Sequence, residues 1–183
     1  AVLLQCALRV SSNCNMVDSN GHVNIPRSWT QISSRSFFGC LTLKTITIPN
    51  TIISIGNRAF MGCGLQSVTI PNGVKTIEVC AFFGSKSLVE VTISDSVTSV
   101  GDAAFSTCYR LKSVTIGAGL KTISVGMLYE SRLESIVIPD TVETIGLHAF
   151  WNCHYLTSVD IGNGVKSIAK EAFGSCDNLK TVT

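Results

Sequence analysis

Eight cysteines and three histidines in 183 residues are the side chains with the richest potential chemistry, as disulfides, a zinc centre or a cysteine–histidine nucleophile. Five of the cysteines, Cys40, Cys63, Cys108, Cys153 and Cys176, recur at multiples of 22 to 23 residues, and Ser85 and Ser131 fill the two gaps in the series. A position that accepts Cys or Ser points to a small, weakly polar filler. No Cys-x-x-Cys spacing occurs, which argues against zinc. His148 and His154 flank Cys153 and raise a metal site or an activated thiol, but Cys153 belongs to the recurring series and His148 adjoins an apolar Ala149-Phe150 pair. No recurring carboxylate pair, Gly-rich phosphate loop or Gly-x-Ser-x-Gly elbow is present, so the expectation is a non-enzymatic protein without cofactor or metal. Cys80 stands outside the series; Cys6 and Cys14 precede it, where a Cys6–Cys14 bridge could staple an N-terminal cap.

The cysteine spacing belongs to a larger period. Leu43, Leu65, Leu88, Leu111, Leu133, Leu156 and Leu179 each open a copy of Leu-x-x-(Val/Ile)-x-Ile-(Pro/Gly/Ser)-x-x-(Val/Ile/Leu)-x-x-(Ile/Val)-x-x-x-Ala-Phe-x-x-Cys, 22 or 23 residues apart. A constant period of this length means one small unit stacked on copies of itself, because a single unit cannot bury its own apolar face. In Thr45-Ile46-Thr47-Ile48 the apolar residues alternate with threonine, the pattern of a strand with one wet face. Pro49-Asn50, Pro71-Asn72-Gly73, Pro139-Asp140 and Gly162-Asn163-Gly164 then turn the chain. A second short extended segment, such as Ile52 to Ile55, follows. Ala59-Phe60, Ala81-Phe82, Ala104-Phe105, Ala149-Phe150 and Ala172-Phe173, with Ser36-Phe37 and Met127-Leu128 as variants, place one large residue at the same angular position of each coil. The result is a buried Phe spine, with the Ala-Phe segment read as a tight turn of about one helical turn. Successive strands are parallel and about 4.7–4.9 Å apart. In-register cysteines such as Cys40/Cys63 and Cys153/Cys176 then hold their Cβ atoms near the coil spacing, above the usual separation of about 3.5–4.5 Å. The five are expected as free thiols.

These residues resemble the BspA-type leucine-rich repeats, a 23-residue class of bacterial and protist surface proteins; Ile48 to Leu65 and Ile138 to Leu156 carry the pattern nearly intact. The resemblance implies a right-handed, curved solenoid of about seven coils with parallel β-strands on the concave side. It implies a recognition or adhesion surface, an extracellular or cell-surface location, and no catalytic motif. The expected organisation is a cap over residues 1–22 and the repeat solenoid over 23–183.

Composition narrows the partners. Charged residues make up 14% and the formal net charge is +2, without a Lys/Arg run, so nucleic acid is an unlikely ligand. No apolar stretch approaches the roughly 20 residues that span a bilayer. The opening Ala1-Val2-Leu3-Leu4-Gln5-Cys6-Ala7-Leu8 reads either as the remnant of a signal peptide or as an apolar cap on the first repeat. The sequence stops within a strand at Thr181-Val182-Thr183, which leaves an apolar coil edge for a further repeat, an end-to-end contact or a larger complex to cover.

Three columns of side chains are candidate surfaces. The wet strand face carries Thr45, Ser67, Glu90, Ser113, Ser135, Ser158 and Thr181, and beside them Thr47, Thr69, Thr92, Thr115, Val137, Asp160 and Thr183. Threonine suits an exposed strand in any case; as a site, these rows form a shallow hydroxyl-rich face for a protein or glycan partner, and their regularity also permits a periodic solid such as ice. The residue after each Phe (Phe38, Met61, Phe83, Ser106, Tyr129, Trp151, Gly174) is either an interface stripe or folded-back core. Ile53, Lys75, Thr98, Lys121, Glu143 and Lys166 serve solubility and discourage edge pairing. The reading is a recognition module using the concave face. Its alternative is a scaffolding subunit held by its end or flank.

Overall fold

Two strands per coil and a turn-rich return build the chain into a parallel solenoid of seven coils in the computed structural model, which describes residues 11–183. The longer strands are β1 (His22–Asn24), β3 (Thr45–Thr47), β5 (Ser67–Ile70), β7 (Glu90–Ile93), β9 (Ser113–Thr115), β11 (Ser135–Ile138), β13 (Ser158–Ile161) and β15 (Thr181–Val182). The shorter ones are β2 (Gln31–Ile32), β4 (Ser54–Ile55), β6 (Thr76–Ile77), β8 (Ser99–Val100), β10 (Thr122–Ile123), β12 (Thr144–Ile145) and β14 (Ser167–Ile168). Each pairs with its equivalent one coil away, as in Val68↔Val91↔Val114 and Ile55↔Ile77↔Val100. Between the two strands a β-turn closes on the residue the sequence marks, with Ile52 N–H donating to Pro49 O at 3.1 Å and Val142 N–H to Pro139 O at 3.0 Å. Glycine at this turn has a second cause: a Cβ on Gly73 or Gly164 would collide with the carbonyl oxygen of Asn50 or Asp140 in the preceding coil.

The Ala-Phe segment is not a helical turn. Arg35 (φ 59°) and Gly39 (φ 69°) bracket Phe37 in the left-handed region, and residues two before and two after the spine residue do the same in every coil, through Glu171 and Ser175 around Phe173. Alternate amides therefore point in opposite senses. Ser36, Phe38 and Cys40 N–H close short turns on Ser33, Arg35 and Phe37, while Arg35, Phe37 and Gly39 N–H donate to Asn57, Ala59 and Met61 of the next coil. A left-handed L-residue costs about 1–2 kcal/mol; an unpaired buried amide costs about 1–3 kcal/mol. The inter-coil bond thus offsets the strain, and a helix, which turns every amide along its own axis, would leave the coils unconnected here.

The spine forms as a stack of parallel rings. Phe37, Phe60, Phe82 and Phe105 lie with centroids 5.3, 5.0 and 5.0 Å apart, and Phe150 stacks on Phe173 at 5.0 Å. Met127-Leu128 divides the two runs, with Leu128 fully buried in the gap.

The recurring Cys/Ser position has a defined task. Ser85 Oγ donates to Phe60 O at 2.8 Å, Cys108 Sγ to Phe82 O at 3.3 Å, Cys153 Sγ to Leu128 O at 3.3 Å and Cys176 Sγ to Phe150 O at 3.1 Å. Each satisfies a spine carbonyl of the preceding coil, which explains why Cys and Ser interchange. Burial pushes the Cys63 thiol up and the Cys108 thiol up to about 12, which favours the protonated, hydrogen-bond-donating form of these two sulfurs.

One member departs from the expectation of free thiols: Cys40 is disulfide-bonded to Cys14, with Cα atoms 5.5 Å apart. Cys40 opens the series, and no coil precedes it among the described residues. A 3₁₀ turn, Ser12–Met16, takes that place, and Ser11 N–H donates to Phe38 O at 3.1 Å. Cys14 comes from this turn instead of an in-register coil, so its Cβ can converge on Cys40. Cys14, considered from the sequence as a possible partner of Cys6, is bonded to Cys40 instead; Cys6 and the apolar stretch around it lie outside the described residues. Cys63, Cys80, Cys108, Cys153 and Cys176 are free.

Replacing Phe82, which has rings on both sides, with Ala should cost about 3–5 kcal/mol in chemical denaturation; a loss below about 1 kcal/mol would contradict the spine. Alkylation in denaturant without reductant should label Cys63, Cys80, Cys108, Cys153 and Cys176 and spare Cys14 and Cys40. Labelling of Cys40 before reduction would contradict the bridge.

Candidate functional site

Strand register sets what the exposed face can present. The ladders align Ser67↔Glu90↔Ser113 and Thr69↔Thr92↔Thr115 in one block, and Ser135↔Ser158↔Thr181 and Val137↔Asp160 in another. Gln66 N–H to Lys44 O (2.9 Å) and Arg132 N–H to Leu111 O (3.0 Å) carry the stacking across the breaks between blocks. Thr45, Thr47, Ser67, Thr69, Glu90, Ser113, Thr115, Ser135 and Asp160 are exposed, and Thr92 and Ser158 are half-buried. Their apolar strand neighbours, such as Val68 and Ile70, face inward and are buried.

Three features of this face go beyond the two rows of hydroxyls. His22 and Asn24 head the two columns, paired with Thr45 and Thr47. The His22 ring lies across both, with Nδ1 2.8 Å from Thr45 Oγ1 and Nε2 3.2 Å from Thr47 Oγ1. A neutral imidazole has one donor and one acceptor nitrogen, so it links the two hydroxyls with opposite polarity. The signal was the 23-residue offset of His22 from Thr45. A third, charged column borders the strands, with Lys112 Nζ 4.0 Å from Glu134. Finally Val137, 62% exposed, is an apolar break in the hydroxyl column. It lies in a depression of about 440 Å³ with Lys112, Thr115, Glu134 and Pro139.

The other candidate surfaces resolve differently. Ser106 is buried, while Phe38, Met61, Phe83, Tyr129, Trp151 and Gly174 are half-buried on the coil flank. Phe38, Met61 and Phe83 line an apolar hollow of about 340 Å³ beside Leu41, which is 77% exposed. Tyr129 and Trp151 stack at 5.0 Å. In the lysine column, Glu143 accepts from Lys166 at 2.7 Å and lies 4.0 Å from Lys121. The suspected cysteine–histidine pair does not form: Cys153 contacts Ser131 Oγ at 3.2 Å, whereas His148 engages Glu171 at 3.1 Å and His154 engages Asp177 at 3.0 Å. Among the described residues no group of three or more metal-ligating side chains is gathered, and no helix is long and apolar enough to cross a membrane.

Six copies of the BspA type leucine rich repeat region match residues 9–131 and 121–183. The chain belongs to the BspA-type leucine-rich repeat family. No curated protein sequence matches it. Among solved structures it is similar to a leucine-rich repeat protein of T. pallidum, with TM-score 0.64 and 28% identity over 88% of this chain and 68% of that one. It shares its fold with a leucine rich cell surface protein of Faecalibacterium prausnitzii, with TM-score 0.61 and 24% identity over 88% of this chain and 59% of the other. A Bacteroides ovatus leucine-rich repeat protein gives TM-score 0.52 at 23% identity, over 86% of this chain and 65% of that one. The chain thus spans about three fifths of the F. prausnitzii protein. The BspA-type repeats here are continuous from the first strand to the last, and their exposed columns are where this chain differs from coil to coil.

The hydrogen bond from Lys166, with its charge, holds the Glu143 carboxyl below the usual glutamate value. The pair's contribution to folding is therefore present above the ordinary glutamate pKa and fades as pH falls through the depressed one. Lys166→Met should raise the midpoint of the Glu143 carboxyl titration, followed by NMR of the side-chain carbon. An unmoved midpoint contradicts the pairing.

Proposed function

We propose that the chain is a recognition module of a surface-displayed protein and that its strand face, centred on Val137, binds a protein partner. The observation that carries this reading is the exposed apolar side chain at 62% within a depression of an otherwise hydroxyl-lined sheet. Interfaces draw their energy from a desolvated apolar anchor and their specificity from a surrounding polar rim. Here Val137 is the anchor, the Thr115 hydroxyl and the Lys112–Glu134 pair are the rim, and the columns from Thr45 to Asp160 extend the contact. The cell-surface description of the F. prausnitzii protein supports the surface location. A recognition role without chemistry is in keeping with cysteines engaged as structural donors and with a leucine-rich repeat fold. The second reading, a scaffold subunit held by its flank, is favoured by the apolar hollow at Phe38, Met61 and Phe83 with Leu41 beside it.

Crosslinking at the native surface should separate the two. Thr69→Lys with Thr115→Lys, two coils apart so that the added charges are not adjacent, should leave unfolding unchanged to within about 0.5 kcal/mol and abolish partner capture. Val137→Ser alone should weaken capture about tenfold, the loss of roughly 1.4 kcal/mol of apolar contact. If both strand-face variants retain the partner and Leu41→Asp releases it, the flank reading replaces the strand-face one.

A further inference from the structure

A third concavity, of about 420 Å³, lies on the flank of the C-terminal half, away from the strand face. Two exposed tyrosines border it, Tyr109 at 45% and Tyr155 at 49% exposure, with Glu130, Arg132, Asn152 and His154 between them. The Arg132 guanidinium sits 4.3 Å over the Tyr155 ring, so both planar groups are held in place by each other. Asp177 engages Nδ1 of His154 at 3.0 Å, leaving Nε2 for another partner. Asn152 Nδ2 approaches Glu130 Oε1 at only 3.4 Å, a long contact that leaves both groups hydrogen-bonding capacity.

At this place the backbone would accept glycine. Glu130 (φ 56°) and Asn152 (φ 62°) occupy the left-handed position two residues after the spine residue, where the first three coils use Gly39, Gly62 and Gly84. Glycine adopts that conformation without penalty. The repeat therefore tolerates glycine at this point; the last four coils carry Thr107, Glu130, Asn152 and Ser175 in it, and the Glu130 and Asn152 side chains line the cleft.

The chemistry of the lining narrows the ligand. Glu130 and Arg132 balance in charge, which favours a neutral ligand over an anion. Thr107, Glu130 and Asn152 N–H are already bonded to Tyr129, Trp151 and Gly174 carbonyls at 2.8, 2.9 and 2.8 Å, so these amides offer no free edge for an extended peptide to join. What remains is two rings, each with a cation over one face (Arg132 over Tyr155 at 4.3 Å, Lys86 over Tyr109 at 5.7 Å), and four planar polar groups with donors and acceptors side by side, suited to paired hydroxyls and to C–H groups against the rest of the ring surface on one small molecule. We propose that this cleft binds a neutral oligosaccharide, with Tyr109 and Tyr155 against its C–H faces and Glu130, Arg132, Asn152 and His154 on its hydroxyls. The site is independent of the strand face and of any protein partner there.

The test is saturation-transfer NMR and calorimetry with maltotetraose, cellotetraose, chitotriose and lactose, with sialyllactose as the anionic comparison and a polar tetrapeptide as the peptide comparison. At least one neutral sugar should bind saturably below about 10 mM, and Tyr155→Ala should weaken it about tenfold or more. Glu130→Gly and Asn152→Gly are decisive because glycine suits the local backbone: each should keep or raise the unfolding midpoint while binding falls about tenfold. Thr69→Lys with Thr115→Lys should leave sugar binding unchanged. Absence of saturable binding by every neutral sugar, binding of only sialyllactose or the peptide, or sugar binding that survives both glycine variants overturns the proposal.

Discussion

Hydrogen bonding from each coil to the next, at one fixed register, is the interaction on which the rest of the molecule depends. It operates at three places in the circuit: the long strands, the short strands, and the Phe segment, where Phe60 and Phe82 N–H donate to Ala81 and Ala104 carbonyls at 2.7 and 2.8 Å. With backbones held at this distance, rings at equivalent positions must stack, and they do so 5.0 to 5.3 Å apart. The same constraint excludes side chains where coils pass closest, which is why Gly73 and Gly164 sit against carbonyls of the preceding coil. Stability in such an array is close to a sum of coil and nearest-neighbour terms. Leu128 fills the spine position between Phe105 and Phe150, where the two ring stacks meet.

The cysteines illustrate how one position changes meaning with its neighbours. At Ser85, Cys108, Cys153 and Cys176 a hydroxyl or thiol donates to the spine carbonyl one coil back. Among the described residues no spine carbonyl lies behind Cys40, and the side chain that arrives there is Cys14 of the 3₁₀ turn. The bond thus ties a non-repeating segment to the first coil at the place where the repeat's own hydrogen bond is missing. The buried thiols of Cys108 and Cys153 donate to spine carbonyls, and the histidines near Cys153 pair with carboxylates one coil on.

Function in this architecture lies in what varies while the coil stays constant. The strand face offers hydroxyls in two rows, interrupted by Glu90, Val137 and Asp160, and the interruptions distinguish one stretch of the face from another. The flanks diverge further: apolar over the first three coils, with glycine at the left-handed position, and aromatic and polar over the fifth and sixth, where Glu130 and Asn152 replace it. One backbone carries two surfaces of different chemistry because side chains at equivalent positions project at the same angle and differ only in type.

The period of 22 to 23 residues, the alternation in Thr45-Ile46-Thr47-Ile48 and the recurring Ala-Phe pair were enough, by themselves, to determine a parallel solenoid, its buried face and the membership of both hydroxyl columns. Those features are local and repeat, so one-dimensional spacing becomes three-dimensional alignment once the coils stack. The tertiary structure alone decided the rest. The Phe segment became left-handed turns instead of a helical turn because its amides must reach the next coil, a demand invisible within one repeat. Cys40 found Cys14 because the end of an array breaks the translational rule that governs its interior. The His22 bridge to Thr45 and Thr47, the depression around Val137 and the Tyr109–Tyr155 cleft depend on side chains from neighbouring coils meeting, and a period specifies which positions align but not which side chains will face one another there.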